Sequence, residues 1–165
     1  MGEKRSGGVR IGILADTHDN LPKIDKAVRF FNKRKVDFVL HAGDFIAPFA
    51  VAKLGDLSCD FCGVFGNNDG EKNGLSQISQ GKIKPGPLRI TLDSRRIILV
   101  HDINSINLTT TDAELIICGH THKPDIRRLD SFLLINPGEC SGWLSNRCSV
   151  AIADLNLPSA SIFYL

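Results

Sequence analysis

No stretch of this 165-residue chain approaches the ~18 uninterrupted apolar residues of a membrane-spanning helix. The first residues also lack the apolar segment, roughly 7 to 15 residues long, that a secretory signal carries. Met1 to Gly8 is polar, basic and glycine-rich and reads as a loose tail, followed by one domain over residues 9–165. Neither sign of charge is in excess: 20 Lys and Arg against 18 Asp and Glu leave a net charge of +2, with the basic residues spread along the chain. That balance gives no electrostatic footprint for a nucleic-acid partner.

The five cysteines are odd in number, and no second pair accompanies Cys59-x-x-Cys62. A four-thiolate zinc site is therefore incomplete, and residues three apart on a strand point to opposite faces. Buried thiols in a reducing cytoplasm are the expectation. Internal repeats and interdomain linkers are also missing.

What is present is a repeated pattern of short apolar runs, each ending in polar residues. Val9 to Ala15, rich in Ile and Leu, suits a strand buried on both faces and stops at Asp16. Asn20 then fits a helix cap, Pro22 a first turn, and Ile24, Ala27, Val28 and Phe31 follow the i, i+3, i+4, i+7 spacing of an amphipathic helix. Asp37 to Ala42 is a second strand ending at Gly43-Asp44, Pro48 opens a short helix through Leu54, and Cys59 to Phe65 is a third strand ending at Gly66-Asn67. Alternating strands and helices indicate βαβ units, whose ligands gather at the carboxyl ends of the strands.

Gly70 to Pro87 reads as a long loop near the site. Leu88 to Leu92 and Arg96 to Val100 form a predicted hairpin delivering His101, and Glu114 to Cys118 is a strand delivering Gly119-His120. A further hairpin over Ile126 to Leu129 and Phe132 to Ile135 precedes the turn Asn136-Pro137-Gly138, and Ser149 to Asp154 and Ser161 to Leu165 are the last strands.

The strand ends collect two carboxylates, Asp16 and Asp44, one amide, Asn67, and four imidazoles, His18, His101, His120 and His122. If one carboxylate bridges, that set holds two divalent ions. Taken alone, Asp16-Thr17-His18 is as compatible with a capped turn, and a lone His101 with a satisfied core histidine. The conjunction selects the metal reading, with i, i+2 spacing at an extended strand end turning Asp16 and His18 to one side. His41, inside the second strand, is expected to support the site or the core rather than to bind an ion.

In this order, Asp-x-His, Gly-Asp, Gly-Asn-Asn-Asp, His and Gly-His-Thr-His resemble the motifs of the calcineurin-like metallophosphoesterases over about Val9 to Asp154. The short connections and the Asn136-Pro137-Gly138 turn are similar to the compact phosphodiesterase branch, which includes a retromer trafficking subunit. The resemblance implies an α/β fold, a four-layer αββα sandwich with two mixed sheets flanked by helices. It implies that Asp16, His18, Asp44 and His122 bind one ion, and that Asp44 bridges to a second held by Asn67, His101 and His120. A hydroxide shared by ions roughly 3.5 to 4 Å apart would attack phosphorus in line. Mn²⁺ is favoured by analogy, with Zn²⁺, Ni²⁺ or Fe²⁺ compatible with the same donors. Compact relatives also suggest a homodimer.

Where many phosphatases of this superfamily carry a histidine that protonates the leaving group, this chain has Asn68. An amide donates no catalytic proton, so activated or diester substrates are expected over alkyl monoesters, with a small phosphodiester as the substrate. Asn68 and Asp69 are the candidate catalytic residues, Asn68 by hydrogen-bonding a phosphate oxygen and Asp69 by orienting His18 or Asn68, a purely structural Asp69 being the alternative. Asp102 either holds His101 in its ligating tautomer or is a solvated turn residue, and Lys123 either attracts phosphate or is a surface lysine. A non-catalytic interaction scaffold and a general phosphomonoesterase are the competing functions.

Overall fold

The structure is a computed structural model describing residues 8–165, so the expected tail lies, Gly8 apart, outside the described residues. It is built on two sheets. The first has six strands: β1 (Arg10–Leu14), β2 (Phe38–His41), β3 (Asp60–Val64), β4 (Ile83–Lys84), β10 (Ser149–Asp154) and β11 (Ser159–Tyr164), in the order β11-β10-β1-β2-β3-β4. The second has five: β5 (Leu88–Leu92), β6 (Arg95–Leu99), β7 (Leu115–Ile117), β8 (Pro124–Arg128) and β9 (Leu133–Pro137), in the order β5-β6-β7-β9-β8. Both sheets are mixed. β1 to β4 run parallel while β10 and β11 are antiparallel additions, and β6, β7 and β9 run parallel between two antiparallel edges.

The sheets pack face to face through Ile11, Ile13, Leu40 and Val64 on one side and Ile97, Leu99, Leu115, Ile117 and Ile135 on the other. Each such side chain contributes roughly 1.5–3 kcal/mol on burial. The other face of the first sheet is covered by α1 (Leu21–Arg34), α2 (Pro48–Val51), a 3₁₀ turn over Ala52–Asp56, and α3 (Lys72–Ile78). Asn20 caps α1 by accepting the Lys23 N–H, and Ile24, Ala27, Val28 and Phe31 are its buried face. Phe31 lies so close to β1 that a Cβ on Gly12 would sit 2.8 Å from its ring.

The outer face of the second sheet, with Ile98, Val100, Ile116 and Leu134, is covered by Ile103 and Leu108 from two 3₁₀ turns, Ile103–Ser105 and Leu108–Thr110, and by Ile106 between them. This fourth layer is thin because Asp102 and Asn107 each cap one short turn within a connection rich in Asn, Ser and Thr. No described helix is long and apolar enough to cross a membrane.

One expectation is corrected. The segment read as a long loop contains α3 and β4, the latter paired with β3 through Gly63 and Val64. The helix buries only Leu75 and carries Gly74 where a Cβ would meet the Pro48 ring at 2.7 Å, so packing rather than periodicity makes it helical. All five cysteines are free, Cys59 and Cys62 half-buried and the rest buried.

Candidate metal centre

The parallel strands β1 and β2 end side by side, and the loops that leave them are stitched together. Asp16 N–H donates to the Gly43 carbonyl (2.9 Å), Thr17 N–H to the Asp44 carbonyl (3.1 Å) and Asp19 N–H to the Phe45 carbonyl (3.2 Å). In consequence Asp16, His18 and Asp44 adopt positive φ of 52°, 40° and 60°, as do His120 and His122 at 69° and 60°. Non-glycine residues rarely occupy this region, and where they do the surrounding structure holds them there, often at functional sites. Asp16 and His18 therefore meet through a left-handed coil and not through the extended geometry expected from their spacing.

The four side chains predicted for the first ion do come together. One ligand atom each from Asp16, His18, Asp44 and His122 lies within 4.8 Å of the others. His18 Nε2 is 3.4 Å from Asp44 Oδ2 and 3.9 Å from Asp16 Oδ1, and His122 Nε2 is 3.4 Å from Asp16 Oδ1. Asp16 Oδ1 and His18 Nε2 are buried and have no hydrogen-bond partner. Burial pushes the Asp16 carboxyl up to about 7, against the pull of His122, and burial likewise lowers the His18 pKa. Buried, unpartnered donor atoms of this chemistry fit a divalent cation.

The second predicted group adjoins the first. Asn67 Oδ1 lies 2.9 Å from both His101 Nε2 and His120 Nδ1, and His101 Nε2 is 3.5 Å from Asp44 Oδ2. Asp44 Oδ2 thus faces both groups. His101 Nδ1–H donates to the Ala42 carbonyl at 2.7 Å, which leaves the Nε2 lone pair facing the Asn67 oxygen. Two acceptors that close repel, and a cation between them removes the repulsion.

Glu139, which the sequence reading did not name, and Asn136, named there only as part of a turn, hold these candidate ligands. The fully buried Glu139 carboxylate accepts from His122 Nδ1–H (3.0 Å), Ser141 Oγ–H (2.9 Å) and the Leu144 and Ser145 N–H groups. Burial alone would raise its pKa, but those hydrogen bonds bring it down to about 2. With its proton directed at Glu139, His122 presents Nε2 toward Asp16. Asn136 Nδ2 donates to the Gly119 carbonyl (2.9 Å) and Thr121 Oγ1 (3.0 Å), fixing the Gly-His-Thr-His loop. The available signal for Glu139 was a lone carboxylate just after β9, the one charged residue between Asp130 and Arg147.

Asp69 is buried, and its carboxylate accepts the N–H groups of Asp44, Phe45, Ile46 and Gly66 at 2.7–3.0 Å, so it positions two ligand loops and bonds to neither His18 nor Asn68. It also holds Ile46, a β-branched residue, at φ 87°. Asn68 lies exposed on the rim and donates its N–H to Asp44 Oδ1 (2.9 Å) and its Nδ2–H to Oδ2 (2.8 Å). Asp102 caps a turn by accepting the Asn104 N–H and has no bond to His101, whose tautomer the Ala42 carbonyl sets. Lys123 is a surface lysine.

His41 is fully buried against Phe45, with ring centroids 3.6 Å apart. Its Nδ1 accepts the Gly43 N–H at 3.1 Å, so its Nε2–H donates to Thr17 Oγ1, also at 3.1 Å. Burial drives its pKa well below that of a free imidazole, and the neutral ring is a strut beneath the two loops.

Residues 9–157 match the calcineurin-like phosphoesterase superfamily domain. The chain belongs to the calcineurin-like phosphoesterase superfamily. It is 33% identical over 154 residues to phosphodiesterase MJ0936 of Methanocaldococcus jannaschii, an alignment covering 88% of this chain and 93% of that protein. A probable metallophosphoesterase of Methanothermobacter thermautotrophicus is also 33% identical, over 139 residues, covering 78% of this chain and 75% of the relative. Among solved structures, an archaeal phosphodiesterase superposes with a TM-score of 0.88 at 31% identity, covering 95% of this chain and all of that one. Vacuolar protein sorting 29 of Cryptosporidium parvum shares the fold, with a TM-score of 0.68 at 17% identity over 97% of this chain and 98% of that one. The phosphoesterase fold read from the strand-end motifs is thus the fold observed.

Proposed function

We propose that this phosphoesterase is a phosphodiesterase that works with two divalent ions, Mn²⁺ favoured, on small activated diesters. The observation that carries the reading is the pair of buried, unpartnered atoms Asp16 Oδ1 and His18 Nε2, converging with Asp44 and His122 beside the cluster of Asn67, His101 and His120. Asp16, His18, Asp44 and His122 would hold one ion, and Asn67, His101 and His120 the other, with Asp44 shared. When bound there, such ions supply activation of a water and neutralisation of charge building on the phosphoryl oxygens.

The chain's own residues do the rest. Glu139 and the Ala42 carbonyl fix the tautomers of His122 and His101, and Asn68 steadies the shared Asp44 carboxylate through both of its oxygens. From the open rim the Asn68 amide can also donate to a phosphoryl oxygen, but it has no proton to give a leaving group. Losing a general acid typically costs on the order of 10²–10⁴ in rate, most for poor leaving groups. Diesters with acidic leaving groups are therefore preferred over alkyl monoesters. The name of the relative at 33% identity agrees with this choice.

The test is hydrolysis of bis-p-nitrophenyl phosphate against p-nitrophenyl phosphate by metal-stripped protein resupplied with Mn²⁺, with Asp44→Asn as control. Metal-dependent cleavage that favours the diester and vanishes in the control supports the reading. A serine phosphopeptide cleaved as fast as the aryl diester would overturn it.

A further inference from the structure

We propose that Trp143 is a specificity-determining platform, an indole face that stacks on a planar aromatic group carried by the diester. The proposal rests on the phosphodiesterase reading and deepens it by naming the substrate class.

Trp143 is the only tryptophan of the chain and is 63% exposed, an unusual state for so large an apolar side chain. It is nevertheless held in place. Its Nε1–H donates at 3.2 Å to the backbone carbonyl of His18, whose imidazole stacks on that of His122 with centroids 5.3 Å apart. The ring therefore stands beside the His18 backbone, next to the first ligand group, with its one polar group satisfied and most of its surface open.

The loop that presents it is tied down on both sides. Ser141 N–H donates to the Asp16 carbonyl (3.0 Å), the Ser141 carbonyl accepts from Asn20 Nδ2 (2.8 Å), and Glu139 accepts the N–H groups of Leu144 and Ser145. A platform fixed before the ligand arrives avoids the ordering cost that a mobile side chain would bring.

The chemistry of the ring selects its occupant. An indole whose N–H is engaged offers nothing to a phosphoryl oxygen, so it can recognise only the organic part of the ester. Planar rings, whether a nucleobase or an aryl group, stack on an indole face, and a small alkyl group does not. Leu144, 75% exposed beside it, extends the apolar edge.

The experiment compares wild type, Trp143→Ala and Trp143→Phe on three diesters that share the p-nitrophenolate leaving group and differ in the retained group: methyl, phenyl or thymidine. Stacking losses on truncation correspond to roughly 5- to 150-fold in affinity. Trp143→Ala should lower kcat/KM for the phenyl and thymidine diesters by that factor relative to the methyl diester, mainly through KM, and Trp143→Phe should restore most of it. A larger loss with thymidine than with phenyl assigns a nucleobase, and equal losses on those two assign an aryl ring.

A second readout is independent of turnover. In Zn²⁺-loaded protein the fluorescence of this sole tryptophan should be quenched by thymidine monophosphate at lower concentration than by ribose 5-phosphate. Unchanged kcat/KM on all three diesters, or equal quenching by the two ligands, overturns the platform and leaves the phosphodiesterase reading standing, and equal losses on all three that Trp143→Phe restores place the stacked ring on the shared p-nitrophenyl group. Absence of metal-dependent diester hydrolysis in the wild type overturns both.

Discussion

Replacing Glu139 should separate its two roles, support of the fold and orientation of His122. In Glu139→Ala, four donors lose their acceptor: His122 Nδ1–H, Ser141 Oγ–H and the Leu144 and Ser145 N–H groups. The exposed Leu144 and Ser145 can turn to water, whereas Ser141 is buried at 1% exposure. A buried polar group left unpaired costs about 1–3 kcal/mol, and breaking a buried charged network about 3–5 kcal/mol. The expected loss is about 3–5 kcal/mol, or about 6–20 °C in Tm for a chain of this size.

In Glu139→Gln the carboxamide oxygen can still serve the two backbone N–H groups, but its NH₂ faces the protons on His122 and Ser141. His122 then moves its proton to Nε2, the nitrogen that faces Asp16, and cannot ligate there. Weakening the partner of a metal-binding histidine typically lowers metal affinity 10- to 100-fold, and that is the fall expected in a Mn²⁺ titration by calorimetry. Thermal melts of metal-free protein supply the stability arm. Glu139→Gln binding Mn²⁺ as tightly as wild type, together with Glu139→Ala melting at the wild-type temperature, would refute the reasoning.

Three further outcomes follow from the same geometry. Asp69→Ala strips the acceptor from four backbone N–H groups and should cost about 3–5 kcal/mol in urea unfolding, a loss under 1 kcal/mol counting against its positioning role. Gly66→Ala places a Cβ 2.1 Å from Asp44 Oδ1 and 2.4 Å from its backbone nitrogen, so the shared carboxylate must move; kcat should fall on the order of 10²-fold in steady-state assays, and an unchanged kcat would refute the close approach. His41 has a lowered folded pKa, so the unfolded chain takes up a proton that the fold refuses. The stability advantage of wild type over His41→Asn is then full above about pH 6.5 and shrinks by up to about 1.4 kcal/mol per pH unit below it, in denaturant titrations; a constant difference from pH 8 to 5 would show that folding leaves the His41 pKa unshifted.

The sequence by itself determined which donor atoms this protein carries and where along the chain they stand. Apolar runs that suit buried strands stop at Asp16, Asp44, Asn67, His101 and His120 because a buried strand tolerates no free carboxylate or imidazole, so the chemistry is written where the strands end. The cap of α1 and its buried stripe are equally local and equally legible. α3 was not, because one buried leucine gives no periodicity and its helix exists only against Pro48 and the sheet.

Tertiary structure alone decided how the donors converge. The left-handed backbone at Asp16, His18 and Asp44 is held by hydrogen bonds between loops 26 or 27 residues apart, which the tolerance of Asp and His for that region does not by itself produce. The tautomers of His101 and His122 are set by Ala42 and Glu139, 59 and 17 residues away. Residue type carries the chemistry of a ligand, but its direction and protonation are fixed by partners that only the folded chain brings near.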